Sequence, residues 1–79
     1  MADNKIVETA KAFMDNEVIT VRKMRDNEFF KTNEDFRQYK KTAQAWVCCT
    51  CMFTQKLVKG YGAELVAYAD KCREEIENL

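Results

Sequence analysis

Apolar side chains recur at every third or fourth position through the first third of the chain, and this spacing limits the fold more than any other feature. It matches one face of an α-helix, with charged residues between. The apolar positions form two rows: Ile6, Ala10 and Phe13, and beside them Val7, Met14, Val18, Val21 and Met24. We predict an amphipathic helix over residues 4–30. Its β-branched stretch from Val18 to Val21 lowers helix propensity and favours a kink or an early end there.

A second helix has a recognisable start, because Thr32 can cap the first turn and Asp35 stands where the acid of a capping box belongs. We predict that it continues to Lys59, before Gly60, a residue that favours a left-handed C-cap. A heptad seam runs along it: Phe36, Tyr39, Ala43, Trp46, Thr50, Phe53 and Leu57. A second apolar stripe lies beside the seam: Val47, Cys51, Thr54 and Val58. The middle of this helix should therefore contact neighbours on at least two sides.

A third, shorter helix is predicted over residues 63–78. Its apolar positions keep the heptad spacing and are flanked by Val66 and Tyr68: Leu65, Ala69, Cys72, Ile76 and Leu79. Both connections are short, so successive helices should lie antiparallel. The predicted fold class is all-α, with two long antiparallel helices and a shorter C-terminal helix in a hairpin or bundle. Residues 1–79 are expected to form a single helical domain.

The proportions of these helices favour self-association. Two helices of about 27 residues are each about 40 Å long, and such a thin hairpin cannot hide all of its apolar residues. We expect a homo-oligomer, at least a dimer, to cover the remainder. The predicted interface lies on the second helix: Trp46, Val47, Thr50, Cys51, Phe53 and Leu57. The alternative is a monomeric three-helix bundle, which would require the first helix to break near Val18.

The four cysteines are interpreted as reduced thiols of a cytoplasmic protein. The charged N-terminal segment is unlike a signal peptide, and the longest apolar run has nine residues, too few for a membrane span. Free cysteines are among the most buried residue types, so small buried side chains are the favoured role. The alternative is a metal site at Cys48, Cys51 and Cys72, completed by Cys49, although its one close pair lies in mid-helix. We expect no metal and no cofactor.

The residue types that are missing exclude several kinds of active site. The chain contains no histidine, serine or proline and only two glycines. It therefore cannot carry a Ser-His-Asp or Cys-His centre, a histidine metal site or a histidine pH switch. Two glycines are too few for a P-loop or a dinucleotide fingerprint. Carboxylate acid–base chemistry remains open in principle, but no pair is marked for it, so we expect a protein that binds rather than catalyses.

The charges balance overall but not locally. Thirteen basic and thirteen acidic residues remove a strong pull toward nucleic acid or an anionic membrane. Residues 22–41 hold seven basic and four acidic side chains, whereas residues 61–79 hold two basic and five acidic ones. Solvated helix faces with local ion pairs explain this simply. The functional alternative is an anion- or partner-binding surface, with Phe29 also able to stack: Arg22, Arg25, Arg37, Tyr39, Lys40 and Lys41.

Three kinds of binding protein remain. The leading hypothesis is a non-enzymatic, oligomeric helical adaptor or inhibitor, of the kind that phages often encode, which binds itself and another protein. The second is an oligomeric sponge that sequesters an anionic small molecule such as a nucleotide. The third, a nucleic-acid-binding helical protein, is disfavoured by the zero net charge. No membrane partner is expected.

Overall fold

The computed structural model describes residues 2–79, and within that range the chain forms three helices and no strand. The helices are α1 (Ala2–Asp26), α2 (Asn33–Leu57) and α3 (Gly62–Glu77). Each packs against both of the others, in a bundle that measures 44 × 16 × 16 Å. The predicted all-helical fold class is confirmed. None of the described helices is both long and apolar enough to cross a membrane.

The two short connections reverse the chain each time, so α2 lies antiparallel to both neighbours and α1 and α3 run parallel. Cross-helix contacts agree with this direction. Lys11 on α1 pairs with Glu64 in the first turn of α3, and Asp15, one turn further along α1, accepts a hydrogen bond from Tyr68, one turn further along α3. The antiparallel arrangement of successive helices was predicted correctly.

The first helix is continuous through the β-branched segment from Val18 to Val21, where the sequence also allowed an early end. Val18 and Val21 are both buried, and their burial outweighs the small loss of helix propensity that β-branching causes. The expectation that a three-helix bundle requires a break near Val18 is wrong. An α3 of 16 residues packs beside a continuous α1 and covers part of its length.

α1 ends a full turn before the predicted Phe30. The backbone N–H of Phe29 donates to the carbonyl of Met24, and that of Glu28 donates to Arg25. Glu28 has a φ of 50°. This is the Schellman motif, in which a residue in the left-handed conformation terminates a helix. Glycine usually holds that position, so a glutamate there gives no warning in the sequence.

α2 begins as predicted and ends earlier than predicted. The backbone N–H of Asp35 donates to Oγ1 of Thr32 over 3.1 Å, which makes Thr32 the N-cap. At the other end the helix stops at Leu57, and Val58 is extended, with a φ of −131°, and buried. Gly60 does not cap the helix; its φ of 86° lies within the connection. Val58 therefore reaches the core from outside the helix.

The core lies along the line where the three helices meet. It is made of Val7, Ala10, Met14, Val18, Val21, Ala43, Val47, Cys51, Thr54, Val58, Leu65, Ala69, Cys72 and Ile76. The apolar face predicted for α3 and the longer of the two rows predicted for α1 are thereby confirmed over most of their lengths.

The heptad seam of α2 enters the core only near its start, and its later large apolar residues stay exposed. Ala43 is buried, but Trp46 is 56% and Phe53 63% exposed. The neighbouring stripe is buried instead. The buried stripe has the same three-and-four spacing as the seam, and it is the stripe that faces the line where the three helices meet. The later seam residues are therefore left outside.

Candidate functional site

An apolar groove runs along the bundle between α1 and α2. Its volume is about 790 Å³, and every residue that lines it belongs to one of these two helices. Four large apolar side chains line it and are each at least half exposed; we call them the four groove side chains: Phe13, Trp46, Phe53 and Leu57. The groove exists because two packed helices leave a furrow on each side. α3 fills one furrow, and within residues 2–79 nothing fills the other.

The threonine hydroxyls that line the groove are hydrogen-bonded within their own helices. Oγ1 of Thr9 donates to the carbonyl of Lys5 over 2.8 Å, that of Thr50 to Trp46 over 2.9 Å, and that of Thr54 to Thr50 over 2.7 Å. Each hydroxyl therefore bonds to the carbonyl four residues earlier on its own helix. The lining contains one charged residue, Lys5. The surface is suited to an apolar partner and has few groups that could hold a phosphate.

The four thiols lie in different surroundings. Cys51 and Cys72 are buried, Cys48 is half-buried, and Cys49 is exposed in the groove. The expectation that the cysteines are small buried side chains is confirmed for Cys51 and Cys72 and wrong for Cys49. Among residues 2–79, no three Cys, His, Asp or Glu side chains gather closely enough to hold a metal ion.

Four of the six residues predicted as an oligomer interface line the groove: Trp46, Thr50, Phe53 and Leu57. Val47 and Cys51 lie inside the bundle and cannot reach a partner while the bundle is intact. The interface itself stays a prediction. The α1 wall was not anticipated as a binding surface, although Ile6, Ala10 and Phe13 formed a separate row in the sequence and all three line the groove.

The residues predicted as an anion- or partner-binding surface lie toward the end of the bundle that holds the α1–α2 connection. Three have partners within the chain: Arg25 pairs with Asp26, Arg37 with Glu34, and Lys40 with the main-chain carbonyl of Glu77. Arg22 and Lys41 are exposed. The local pairs fit the simpler interpretation, solvated helix faces, and anion binding stays a prediction.

Tyr39, predicted to stack on a ligand base, belongs to an aromatic cluster at the same end. Its ring centre lies 5.1 Å from that of Phe30, which also contacts Phe36 and Phe29. A recess of about 470 Å³ lies beside the cluster, and Arg25 is the only member of the predicted surface that lines it. The structure therefore does not gather the six predicted residues around one cavity.

A polar cluster between α1 and α3 was not anticipated from the sequence. The hydroxyl of Tyr68 donates to both carboxylate oxygens of Asp15, at 2.6 and 2.7 Å. The sulfur of Cys72 lies 3.8 Å from the same carboxylate. The ammonium groups of Lys11 and Lys71 lie 5.5 and 5.4 Å from the Tyr68 ring centre. Because Asp15 and Tyr68 are 53 residues apart, no local pattern could have indicated the contact.

The electrostatics of this cluster argue for a structural role. The hydrogen bond to Asp15, together with burial, raises the pKa of Tyr68 to about 12. Burial, followed by the charge of Asp15, raises the pKa of Cys72 to about 11. Both groups are therefore protonated near neutral pH, and the thiolate or phenolate that nucleophilic chemistry needs is scarce. The cluster fastens α3 to α1.

The chain matches no protein-family model, no curated protein and no solved structure. No activity, ligand or partner can therefore be transferred to it from a relative. The groove between α1 and α2 is the feature from which a function can be inferred.

Proposed function

We propose that this chain is a non-enzymatic protein-interaction module whose groove accepts the apolar face of a partner's helix. One observation carries the proposal: the four groove side chains share one furrow and are each at least half exposed. Fully burying a side chain of this size is worth about 1.5–3 kcal/mol relative to leaving it in water. A contiguous apolar patch of this kind is typical of a binding surface.

The shape of the groove favours a helix over a small molecule. Its α2 wall extends from Trp46 to Leu57, about 17 Å at a rise of about 1.5 Å per residue. That length matches about three turns of a docked helix, whose apolar residues at positions i, i+3 or i+4, and i+7 would meet the floor. The open furrow runs parallel to the helices, so a docked helix would lie alongside α1 and α2.

The composition of the lining argues against a nucleotide sponge at this site. Phosphate recognition uses several charged or hydrogen-bonding donors, whereas the groove has one lysine and hydroxyls already bonded to their own helices. The protonated Tyr68 and Cys72 give no support to a catalytic role. Four free thiols fit a reducing compartment such as the cytoplasm.

The proposal is tested with Trp46, the chain's single tryptophan, as the reporter. The dilute full chain is titrated with a synthetic Leu/Lys amphipathic helix of about five turns. We expect Trp46 emission to move to shorter wavelength and to saturate, because the docked helix removes water from the indole. A scrambled peptide of the same composition lacks an apolar face and should leave the emission unchanged.

Two neighbouring residues of α2 provide a matched control. Phe53 and Met52 are 63% and 58% exposed, but only Phe53 lines the groove. Phe53→Ala is expected to weaken peptide binding about tenfold, or about 1.4 kcal/mol, while Met52→Ala stays within about twofold of the native chain. Equal effects of the two substitutions, or no saturable shift for the native chain, would contradict the proposal.

A further inference from the structure

We infer that the occupant of this groove is a second copy of the chain, docked with the two α1 helices antiparallel, so that Lys5 of each copy lies beside Glu17 of the other. The inference rests on the proposed function, because it names the partner at the same site. It is carried by the amount of exposed surface, by the order of charges along α1, and by a half-buried carboxylate that has no partner within the described chain.

The chain exposes more surface than a compact protein of its mass. Its accessible surface is 5547 Å², whereas about 5,000 Å² is expected for 9.3 kDa. The four groove side chains contribute roughly 400 Å² of exposed apolar surface. A standard interface buries about 800 Å² on each partner, so these side chains would supply about half of one side of such an interface and the rim around them would have to supply the rest.

One ridge of α1 borders the groove, and its charges are ordered so that two copies complement each other: Lys5, Thr9 and Phe13 line the groove, and Glu17 lies one turn beyond it. Lys5, Thr9, Phe13 and Glu17 follow at four-residue intervals and form one ridge of the kind that packs between the ridges of another helix. The ridge has a cation at one end and an anion at the other. A two-fold axis through its middle places opposite charges together at both ends, whereas parallel docking would place like charges together.

Glu17 is the group that a second copy would satisfy. It is half-buried, and burial raises the pKa of its carboxyl. Within residues 2–79, its carboxylate takes part in no ion pair, and Lys5 forms none either. A partly desolvated carboxylate is stabilised by a nearby cation. An unrelated apolar helix could fill the groove, but nothing would require it to carry a lysine at this point.

The test is a charge exchange, measured by sedimentation of the full chain over a concentration series. Lys5→Glu places like charges together at both ends of a homodimer, and so does Glu17→Lys. Each substitution alone is expected to weaken dimerisation about tenfold, since two contacts change from attraction to repulsion. An equimolar mixture of the two variants should recover an affinity within about twofold of the native one, because opposite charges again meet at both ends of the heterodimer.

A matched substitution controls for the change in net charge. Lys23 lies 18 residues beyond Lys5 on the same helix, which is about five complete turns. It therefore points in the same direction from the helix axis as Lys5 does, but lies well beyond the end of the groove. Lys23→Glu should dimerise like the native chain. Recovery in the mixture also shows that both variants are folded, because an unfolded variant would not be rescued by the other.

The outcomes separate the inference from the proposed function. A native chain that stays monomeric into the high micromolar range overturns the inference, and so does a dimer whose affinity is the same in the native chain, both single variants and their mixture. If the chain is monomeric but Trp46 still responds to the amphipathic peptide, the groove binds a foreign helix and only the inference fails. If Trp46 does not respond either, both fail.

Discussion

The α1–α2 pair has an apolar surface on each of its two sides, but the described chain packs a third helix against only one of them. On one side α3 is packed, with Leu65 and Ile76 fully buried. On the other side the groove leaves Trp46 and Phe53 more than half exposed. Apolar spacing therefore indicates which side chains require a neighbour. It does not indicate whether that neighbour belongs to the same chain.

Polar groups strengthen the difference between the two sides. On the covered side, Tyr68 and Asp15 join α3 to α1 directly. On the groove side, the threonine hydroxyls bond to carbonyls of their own helices, so they neither hold nor repel a third helix. The covered side is therefore fixed by specific contacts, and the groove side is left apolar and accessible.

The largest contrast between the two sides is expected in thiol reactivity. Cys49 is exposed in the groove, whereas Cys72, on α3, is buried in the core with a pKa raised to about 11. In dilute protein at neutral pH, alkylation of Cys72 should be slower by a factor on the order of 10³, since it requires the bundle to open. Timed alkylation of a Cys48→Ala variant, followed by mass spectrometry of the peptides, measures both rates. Similar rates would show that the covered side is not closed.

The next largest contrast uses the same substitution on each side. Leu65 is fully buried against the core, and Leu57 lies 56% exposed in the groove. Leu65→Ala should lower the free energy of unfolding by about 3 kcal/mol, because it leaves a cavity, and Leu57→Ala by less than about 1 kcal/mol. Urea unfolding of dilute protein measures both values. Equal losses of unfolding free energy would mean that Leu57 is already packed against other residues in the monomer.

The smallest contrast concerns the Tyr68 hydroxyl, which fastens the covered side. Tyr68→Phe should lower the free energy of unfolding by about 1 kcal/mol at neutral pH. The folded-state pKa of Tyr68 is about 12, above the ordinary 10.0, so its contribution is complete below pH 10 and is lost as the pH rises through about 12. The native chain should therefore lose more stability over this range than Tyr68→Phe does. Urea unfolding at several pH values measures both proteins. If the free energy of unfolding falls equally in the native chain and in Tyr68→Phe, Tyr68 does not cause the loss.

The helices themselves were predictable, and their ends were less so. The spacing of apolar residues located all three helices, and the Thr32 cap followed from the side-chain chemistry of helix starts. The end of α1 was missed because Glu28 occupies a left-handed position without being glycine. The end of α2 was missed because tertiary burial of Val58 outweighed its continuation of the helical pattern.

The candidate site was predictable on one wall only. The exposed residues on α2 were expected at an interface because a thin hairpin cannot hide all of its apolar side chains, and they are exposed in the structure because the neighbouring stripe enters the core. The α1 wall needed the relative position of two helices, which spacing alone does not give. The contact of Tyr68 with Asp15 joins residues far apart in the chain, and its prediction requires the fold.

The groove's role is tested most directly by the quenching of Trp46 fluorescence with acrylamide as the protein is diluted. If a second copy covers the groove, Trp46 should be shielded at tens of micromolar protein and freely quenched at nanomolar protein. The transition should coincide with dissociation in sedimentation and move to higher concentration in Phe53→Ala. Quenching that stays the same across the whole range would contradict the account, because the groove would then be as open in concentrated protein as in dilute protein.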